Sequence, residues 1–179
     1  MAEMITKDAI ALGGIQKTVV TLYDADGTLT ENVYTLLNCV EGTTSIVQEE
    51  GSSSDILNEQ GGVILPLSTP GTRSFTTNTG DLQPDILKGL FGYREDLTTK
   101  ALISPIGNPN IAAKIEVYFA GGNYRATCYK VMLNTSLTIE SLKEGIAQGV
   151  ITGKLVAVNV ATTGDADIRE FSIDPVTVS

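Results

Sequence analysis

The most constraining feature of the chain is a pair of strand-like segments separated by two glycines. In IAAKIEVYF, residues 111–119, apolar residues alternate with charged or polar ones. This period of two is typical of a strand with one face buried against a core. The segment YRATCYKVML, residues 124–133, follows shortly after Gly121 and Gly122. Because glycine accepts the positive φ of tight turns, the pattern predicts an antiparallel hairpin.

Other segments rich in β-branched and aromatic residues predict strands on both sides of this hairpin. These segments are KTVVTLY (17–23), NVYTLLNCV (32–40), KLVAVNV (154–160) and REFSIDPVTV (169–178). The 179 residues fit one domain that is long enough to bury a core. We therefore expect a single mainly β domain over residues 1–179, either an antiparallel β-sandwich or a flattened barrel.

The segment TGDLQPDILKGLFGY predicts a short helix flanking the sheet over residues 82–91. Asp81 is its candidate cap, Pro84 lies in the first turn, and Gly92 can end the helix. The apolar stripe expected to face the core consists of Leu82, Ile86, Leu87, Leu90 and Phe91. A second helix is predicted over residues 138–149, where apolar residues also share one face.

Residues 41–74 are rich in Gly, Ser, Thr and Pro and predict a long loop between the early strands and the helix. This loop also carries aliphatic side chains, and soluble monomers seldom leave such a patch uncovered. The resulting candidates for subunit contacts are Ile56, Leu57, Val63, Ile64 and Leu65. The same loop carries an acidic group typical of a solvated surface, which comprises Glu49, Glu50, Asp55 and Glu59.

Composition argues against several kinds of function. The net charge is −9 and the twelve basic residues are scattered, whereas nucleic-acid binding needs clustered Lys and Arg. Without histidine, His-based triads and His/Cys zinc sites are excluded. Cys39 and Cys128 could pair with each other but are too few for a disulfide framework, and we expect free, buried thiols. No leader pattern, membrane span, metal site or cofactor fingerprint is found in the sequence, so none is expected.

The stretch VVTLYDADGTLTEN, residues 19–32, is the strongest chemical motif of the chain. It resembles the nucleophile motif of haloacid dehalogenase-like phosphatases, which implies nucleophilic attack by Asp24 and proton transfer by Asp26. That family is doubly wound α/β, but here the next strand pattern begins at about Asn32, too soon for a crossover helix. Asp-Gly between two strand patterns favours a hairpin turn, with the phosphatase as the alternative.

Two further interpretations find less support. Asp24, Asp26 and Glu31 offer oxygen ligands for calcium, but an EF-hand needs a third ligand before the glycine and flanking helices, and the sequence shows neither. A β-sandwich adhesin or carbohydrate-binding module would be expected to stack sugars on aromatic rings. The chain has no Trp and only 6% aromatic residues, which argues against that module.

The order of the elements is more informative than any single motif. It resembles the tail tube (major tail) proteins of long-tailed bacteriophages and related contractile injection systems. The resemblance is carried by LGGIQKTVV at the first strand, by the loop over residues 41–74, and by LQPDILKGLFGY followed by the glycine hairpin. It implies a β-sandwich or flattened barrel with one flanking helix.

The resemblance further implies a structural virion protein without catalysis, made in the bacterial host cytoplasm and located in the virion tail. Six copies would form a ring, and stacked rings would form a tube through which DNA passes without specific binding. The implied partners are other copies and tail proteins such as a sheath, terminator or tape measure, with no membrane. In such a tube the acidic group would line the lumen or outer surface, where negative charge repels DNA phosphates.

If the motif at Asp24 is a turn, Asp24→Asn should leave folding and any assembly unchanged, because both residues favour turns. Wild-type protein incubated with Mg²⁺ and a phosphomonoester should release no phosphate above background. The turn interpretation fails if wild type shows Mg²⁺-dependent hydrolysis that Asp24→Asn abolishes.

Overall fold

The computed structural model describes residues 14–57, 59–60, 63–139, 147–161 and 166–176. One helix, α1, spans Pro84–Leu90. The strands are β1 Ile15–Tyr23, β2 Leu29–Leu36, β3 Ser45–Gln48, β4 Ser52–Leu57, β5 Val63–Thr69, β6 Arg73–Thr79, β7 Arg94–Glu95, β8 Leu102–Ile103, β9 Ile111–Phe119, β10 Tyr124–Thr138, β11 Gln148–Leu155, β12 Val158–Asn159, β13 Ile168–Arg169 and β14 Phe171–Pro175.

One large antiparallel sheet forms the body of the protein, in the order β2-β1-β9-β10-β11-β6-β3. β14 pairs with the first part of β10, and β11 pairs with its second part. The predicted glycine hairpin joins β9 to β10: the amide of Gly122, at φ +70°, donates to the carbonyl of Phe119 at 2.9 Å. The predicted class, mainly antiparallel β with a short flanking helix, is confirmed, and the sheet does not close into a barrel.

The sheet curls so that the segment after its edge strand β2 meets the end of β6. Residues that follow the edge strand β2 hydrogen-bond to residues at the end of β6, five strands away in the sheet order. Cys39 forms an isolated antiparallel bridge with Thr79, and the amide of Val40 donates to the carbonyl of Asn78 at 2.8 Å. The curl therefore encloses the inner faces of the strands.

A buried carboxylate secures this junction. Asp81 is 7% exposed, and its Oδ2 accepts from the amides of Leu37 at 2.6 Å and Asn38 at 2.8 Å. Its Oδ1 accepts from the Asn38 side-chain amide at 2.6 Å. Burial raises the pKa of Asp81, but the hydrogen bonds from Asn38, Leu37 and Thr79 outweigh it and hold the pKa below its usual value.

The core lies between the inner face of the sheet and α1. Its β9 residues Ala113, Ile115 and Val117 are buried, as their alternation predicts. The other buried apolar residues are Val20, Leu36, Phe75, Ile86, Leu87, Leu90, Phe91, Ala126, Cys128, Val131, Leu133, Ile151 and Leu155. Both cysteines are free as expected; Cys128 is buried, which raises its thiol pKa to about 12, whereas Cys39 is only partly buried.

A helix is confirmed within the predicted residues 82–91, but it spans only Pro84–Leu90 and its predicted cap is wrong. The stripe residues Ile86, Leu87, Leu90 and Phe91 are buried, whereas Leu82 precedes the helix and is partly buried. Gln83 occupies the N-cap position without a side-chain cap bond, because the Asp81 carboxylate is engaged by the segment after β2. Pro84 lies in the first turn, and Gly92 follows the helix at φ +70°. The Phe91 ring packs directly on Gly149 of β11, where any Cβ would overlap it.

Two boundaries drawn from the sequence are corrected by the sheet. The second helix was predicted over residues 138–149, but β10 continues to Thr138 and β11 begins at Gln148. Residues 140–146 of that prediction lie outside the described residues. The strand predicted over 154–160 is likewise divided, because β11 ends at Leu155 and β12 is a separate short strand.

The prediction of a long loop over residues 41–74 is wrong. The segment contains β3, which pairs with β6 at the edge of the large sheet, and β4 and β5, which pair with each other. Glycine and proline are depleted in ordinary strands, so their presence in this segment favoured the loop prediction. Pairing between neighbouring chain segments compensates for that low propensity.

Since the pKa of Asp81 is depressed in the fold, its contribution to stability is present above the unfolded pKa of about 3.9 and is lost as pH falls through the folded value. Asp81→Asn should destabilise the protein by about 1–3 kcal/mol at neutral pH, because one amide oxygen replaces two charged acceptors. Below about pH 4 this difference should shrink. Denaturant unfolding of wild type and Asp81→Asn at pH 7 and pH 3 measures the stability difference at each pH. A difference that does not change with pH contradicts a depressed pKa for Asp81.

Candidate assembly surface

β4 and β5 form a two-stranded ribbon, the arm, that pairs with no other described strand. Six register pairs run from Ser52 opposite Thr69 to Leu57 opposite Val63. At about 3.4 Å per residue the arm is about 20 Å long. Every arm side chain whose burial is described is exposed. The described side chains of the arm therefore add nothing to the enclosed core, and the arm presents two strand edges that no other described strand covers.

One face of the arm is apolar. Ile56 lies opposite Leu65, and Ser54 lies opposite Leu67, so these side chains share a face of the ribbon. Ile56, Leu65 and Leu67 are 45%, 50% and 44% exposed. Three neighbouring aliphatic side chains left half in water form a surface that a partner can cover favourably.

The structure brings together part of the predicted contact group. Ile56 and Leu65 form a cross-strand pair, and the backbones of Leu57 and Val63 pair after a register shift. The side chains of Leu57, Val63 and Ile64 lie outside what the structure describes. Leu67 was missed among the candidates, and only the strand register, not its position in the sequence, shows that it joins the apolar face.

The predicted acidic group follows the arm from base to tip. Glu49 and Glu50 precede β4, Asp55 lies within β4, and Glu59 lies beyond its end. All four are exposed. Glu49 accepts a hydrogen bond from the Thr72 hydroxyl at 2.8 Å, whereas Glu50, Asp55 and Glu59 form no ion pair with any described residue. The arm is consequently negative along its length.

Two glycines hold the arm at its base. A Cβ on Gly51 would overlap the Thr69 carbonyl, and a Cβ on Gly71 would overlap the Glu49 carbonyl. The segments on either side of the ribbon, residues 49–51 and 69–72, cross closely there. The Glu49 amide donates to the Thr72 carbonyl at 2.9 Å. Below this crossing the ribbon continues as β3 paired with β6, so the arm is an extension of the sheet.

Arg73, at the base of the arm, forms an ion pair with Glu170 between β13 and β14. Arg73 begins β6, and its Nη1 lies 3.2 Å from Oε2 of Glu170. The same guanidinium donates to Oε1 of Gln48 through Nε at 3.2 Å and Nη2 at 3.0 Å. Gln48 is the last residue of β3, so Arg73 braces both strands that carry the arm.

The large sheet also presents an edge at β2, which pairs only with β1 among the described strands. Leu29 and Val33 of β2 are 44% and 53% exposed. An edge strand of eight residues with exposed aliphatic side chains is a template for pairing with another chain unless something covers it.

The aspartates of the phosphatase motif lie in the turn between β1 and β2. Oδ1 of Asp24 accepts from the amides of Asp26 at 3.1 Å and Thr28 at 2.8 Å, and Gly27 adopts φ +80°. β1 and β2 are antiparallel neighbours. The hairpin prediction is confirmed, and the parallel strand and crossover helix that the phosphatase fold requires are not formed by these segments.

Within the described parts of the chain, no group of three or more His, Cys, Asp or Glu residues is arranged to hold a metal ion. The single described helix is too short to cross a membrane.

Comparisons with known proteins found similarity only among solved structures. No protein family profile matches the chain. No curated protein sequence matches it either.

The chain is similar to a component of the PVC sheath-tube complex of an extracellular contractile injection system, with 9% identity, a TM-score of 0.45, and coverage of 96% of this chain and 95% of the other. It is also similar to a component of the anti-feeding prophage baseplate, with 10% identity, a TM-score of 0.45, and coverage of 97% of this chain and 100% of the other. A third similar structure is a component of the anti-feeding prophage tube-terminating cap, with 12% identity, a TM-score of 0.42, and coverage of 97% of this chain and 99% of the other. Because these TM-scores lie below 0.5, function is inferred from the chain's own geometry.

If the crossing at the arm base depends on glycine, Gly71→Ala should force the two crossing segments apart and break the hydrogen bond from the Glu49 amide to the Thr72 carbonyl. Amides of β4 and β5 should then exchange with solvent at least about tenfold faster, which corresponds to opening made easier by about 1.4 kcal/mol. Hydrogen-exchange mass spectrometry measures this, with β9 amides as the internal reference. Gly121→Ala is the matched control, because its Cβ would meet nothing within 4 Å; equal exchange in both variants contradicts the prediction.

Proposed function

We propose that this chain is a non-enzymatic structural subunit that assembles with copies of itself into a tail tube. The observation that carries the proposal is the arm, a ribbon about 20 Å long with an apolar face that the subunit itself does not cover. An element of this kind gains its buried surface from another molecule. In this proposal the covering molecule is a second copy of the chain.

The arm favours a head-to-tail contact. It leaves the sheet at one side through the crossing at Gly51 and Gly71, and the same element is not presented anywhere else on the described surface. When an arm docks on a different surface of the next copy, the interface is heterologous, and repetition of the contact generates rings or open helical polymers. A tube is the product of both operations.

The uncovered sheet edge supports lateral assembly. β2 offers unpaired backbone groups together with exposed Leu29 and Val33. Strand addition between neighbouring subunits would satisfy those groups and extend one sheet around a ring. Edge pairing within a ring and arm docking between rings use separate surfaces, so one subunit can make both contacts.

The finer features of the proposal come from the resemblance seen in the sequence. They are six subunits per ring, location in a virion tail after synthesis in the host cytoplasm, and contacts with a sheath, terminator or tape measure. DNA passes through the lumen without specific binding, and a net charge of −9 suits that passage because it repels phosphates. Glu49, Glu50, Asp55 and Glu59 remain candidates for the lumen or the acidic outer surface.

Replacing residues 52–69 by a short Gly/Ser linker tests the proposal. The described arm side chains are exposed, so the domain should fold normally while tube formation is lost. Circular dichroism reports the fold, and sedimentation with negative-stain microscopy reports the polymer. Wild type should form tubes about 100 Å wide, from six domains of ordinary compactness around a channel.

A matched pair of point variants separates the apolar face from general surface hydrophobicity. Leu65→Ser, on the arm, should weaken assembly. Leu97→Ser, on a residue that is 85% exposed away from the arm, should not. Normal tubes from the arm-replaced protein would exclude the arm as the stacking element, and an unfolded product would show that it belongs to the core.

A further inference from the structure

A second exposed apolar surface lies on the β7–β8 hairpin and the residues that follow it. Arg94 and Ile103 are register partners, so their side chains share one face of this hairpin. Together with their neighbours they line a pocket of about 390 Å³, here called the β7–β8 pocket. Its lining residues are Gly92, Arg94, Ile103, Ser104, Pro105 and Ile106.

The aliphatic side chains of this pocket are uncovered. Ile103 is 40% exposed, and Ile106 is fully exposed, more than any other large hydrophobic residue in the described part of the chain. The other face of the hairpin is turned to the body, because Leu102 packs against the core and Glu95 pairs with Lys88 at 3.3 Å. Ile103 and Ile106 therefore lie on the side of the hairpin that a partner can cover, with a gain in apolar burial.

Arg94 adds a positive charge beside these side chains. It is exposed and forms no ion pair with any described residue. The other three arginines each pair with a carboxylate, in the pairs Arg73–Glu170, Arg125–Glu116 and Arg169–Asp167. Because a guanidinium binds carboxylates with two parallel hydrogen bonds, the pocket suits a partner that carries aliphatic side chains next to an acidic group.

The β7–β8 pocket and the arm lie beyond opposite ends of β6. The arm precedes the first residue of β6, and α1 with the β7–β8 hairpin follows the last, Thr79. Thr79 is the register partner of Gly149, on which the Phe91 ring packs. The next residue, Gly92, borders the pocket, and a Cβ on it would lie 3.7 Å from Pro105. The seven residues of β6, about 20 Å, thus separate the pocket from the arm base.

This placement rules out docking of the arm on the pocket of its own subunit. The arm continues the β3–β6 ribbon away from Thr79, so it leads away from that pocket. When copies stack in one orientation, the arm of one copy points toward the pocket end of the next. The pocket is therefore within reach of a neighbouring copy in the head-to-tail contact.

Three lysines also lack an ion pair with a described residue, but their settings differ from that of Arg94. Lys17 and Lys130 lie over tyrosine rings, at 4.7 and 5.3 Å from the ring centres. Lys154 is the register partner of Ser74 and lies at the arm end of β6. Arg94 is thus the described cation that has neither kind of partner and lies beyond the end of β6 away from the arm.

We propose that the β7–β8 pocket receives the arm of a second copy, with Ile103 and Ile106 against the apolar face of the arm and Arg94 paired to Glu59. The inference rests on the proposed function and adds the receiving surface. Glu59 lies beyond the end of β4, at the arm tip, where it is exposed and forms no ion pair with any described residue. The apolar contact supplies buried area, and the charge pair fixes the register in which the arm docks.

A matched pair of substitutions tests the apolar contact. Ile106→Ser should raise the protein concentration needed for tube assembly roughly tenfold or more, because an aliphatic side chain no longer leaves water on docking. Leu97→Ser should assemble like wild type, since Leu97 is 85% exposed in the turn of the same hairpin but does not line the pocket. Equal assembly of the two variants overturns the inference, whether both assemble normally or both fail.

Charge exchange tests the pairing. Arg94→Glu and Glu59→Arg should each raise the assembly concentration roughly tenfold, because like charges then face each other. Both substitutions in one chain restore opposite charges and should return assembly to near the wild-type concentration. Arg94→Gln, which removes the charge with less change in size, should show a smaller, several-fold loss.

Lys100→Glu is the control for net charge, because Lys100 lies on the same hairpin with a side chain that is 69% exposed and outside the pocket. It should assemble like wild type, and combined with Glu59→Arg it should give no rescue. Circular dichroism checks the fold of each variant, and all the substituted side chains are exposed. Lack of rescue by Arg94→Glu in the Glu59→Arg protein overturns the pairing.

The outcomes distinguish this inference from the function on which it rests. Loss of tubes on arm replacement, together with normal tubes from Ile106→Ser and Arg94→Glu, keeps the tube function and rejects the β7–β8 pocket as the receiving surface. Wild-type protein that remains monomeric at every concentration rejects both.

Discussion

The buried carboxylate of Asp81 is the interaction on which the shape of the protein depends. It gathers three hydrogen-bond donors from the segment after β2 and one from Thr79 at the end of β6. Charged acceptors form stronger hydrogen bonds than neutral ones, and a buried carboxylate without donors would be costly. The segment after β2 is thereby held against the end of β6, and the curl creates the interior that α1 and the inner strand faces fill.

The same curl decides what is left outside. β3 and β6 pair at the edge of the enclosed sheet, and their chains cross at Gly51 and Gly71 to continue as the arm. Ile56, Leu65 and Leu67 lie on the arm, outside the enclosed core, and stay about half exposed. The uncovered apolar face is a consequence of how the domain closes, and it is the surface on which the proposed assembly rests.

Asp24 and Asp26 show why a short motif is interpreted through its surroundings. Their spacing matches a catalytic motif, but catalysis of that type requires a parallel strand and a crossover. In this chain β2 returns antiparallel to β1 within a few residues, and the amides of the turn take up Oδ1 of Asp24. The short spacing before the next strand pattern was visible in the sequence and predicted the turn correctly.

Local patterns in the sequence determined the β9–β10 hairpin, the β1–β2 turn and the apolar stripe of α1, because period, turn residues and helix signals act over a few neighbouring residues. Tertiary structure decided the rest. Asp81, predicted as a helix cap, instead binds the segment after β2. The segment predicted as a loop forms strands, and their register places Leu67 beside Ile56 and Leu65. Each of these depends on pairing between distant segments, and low strand propensity in Ser52–Leu57 gave no local sign of it. The apolar face of the arm likewise exists only once the strand register brings its residues together.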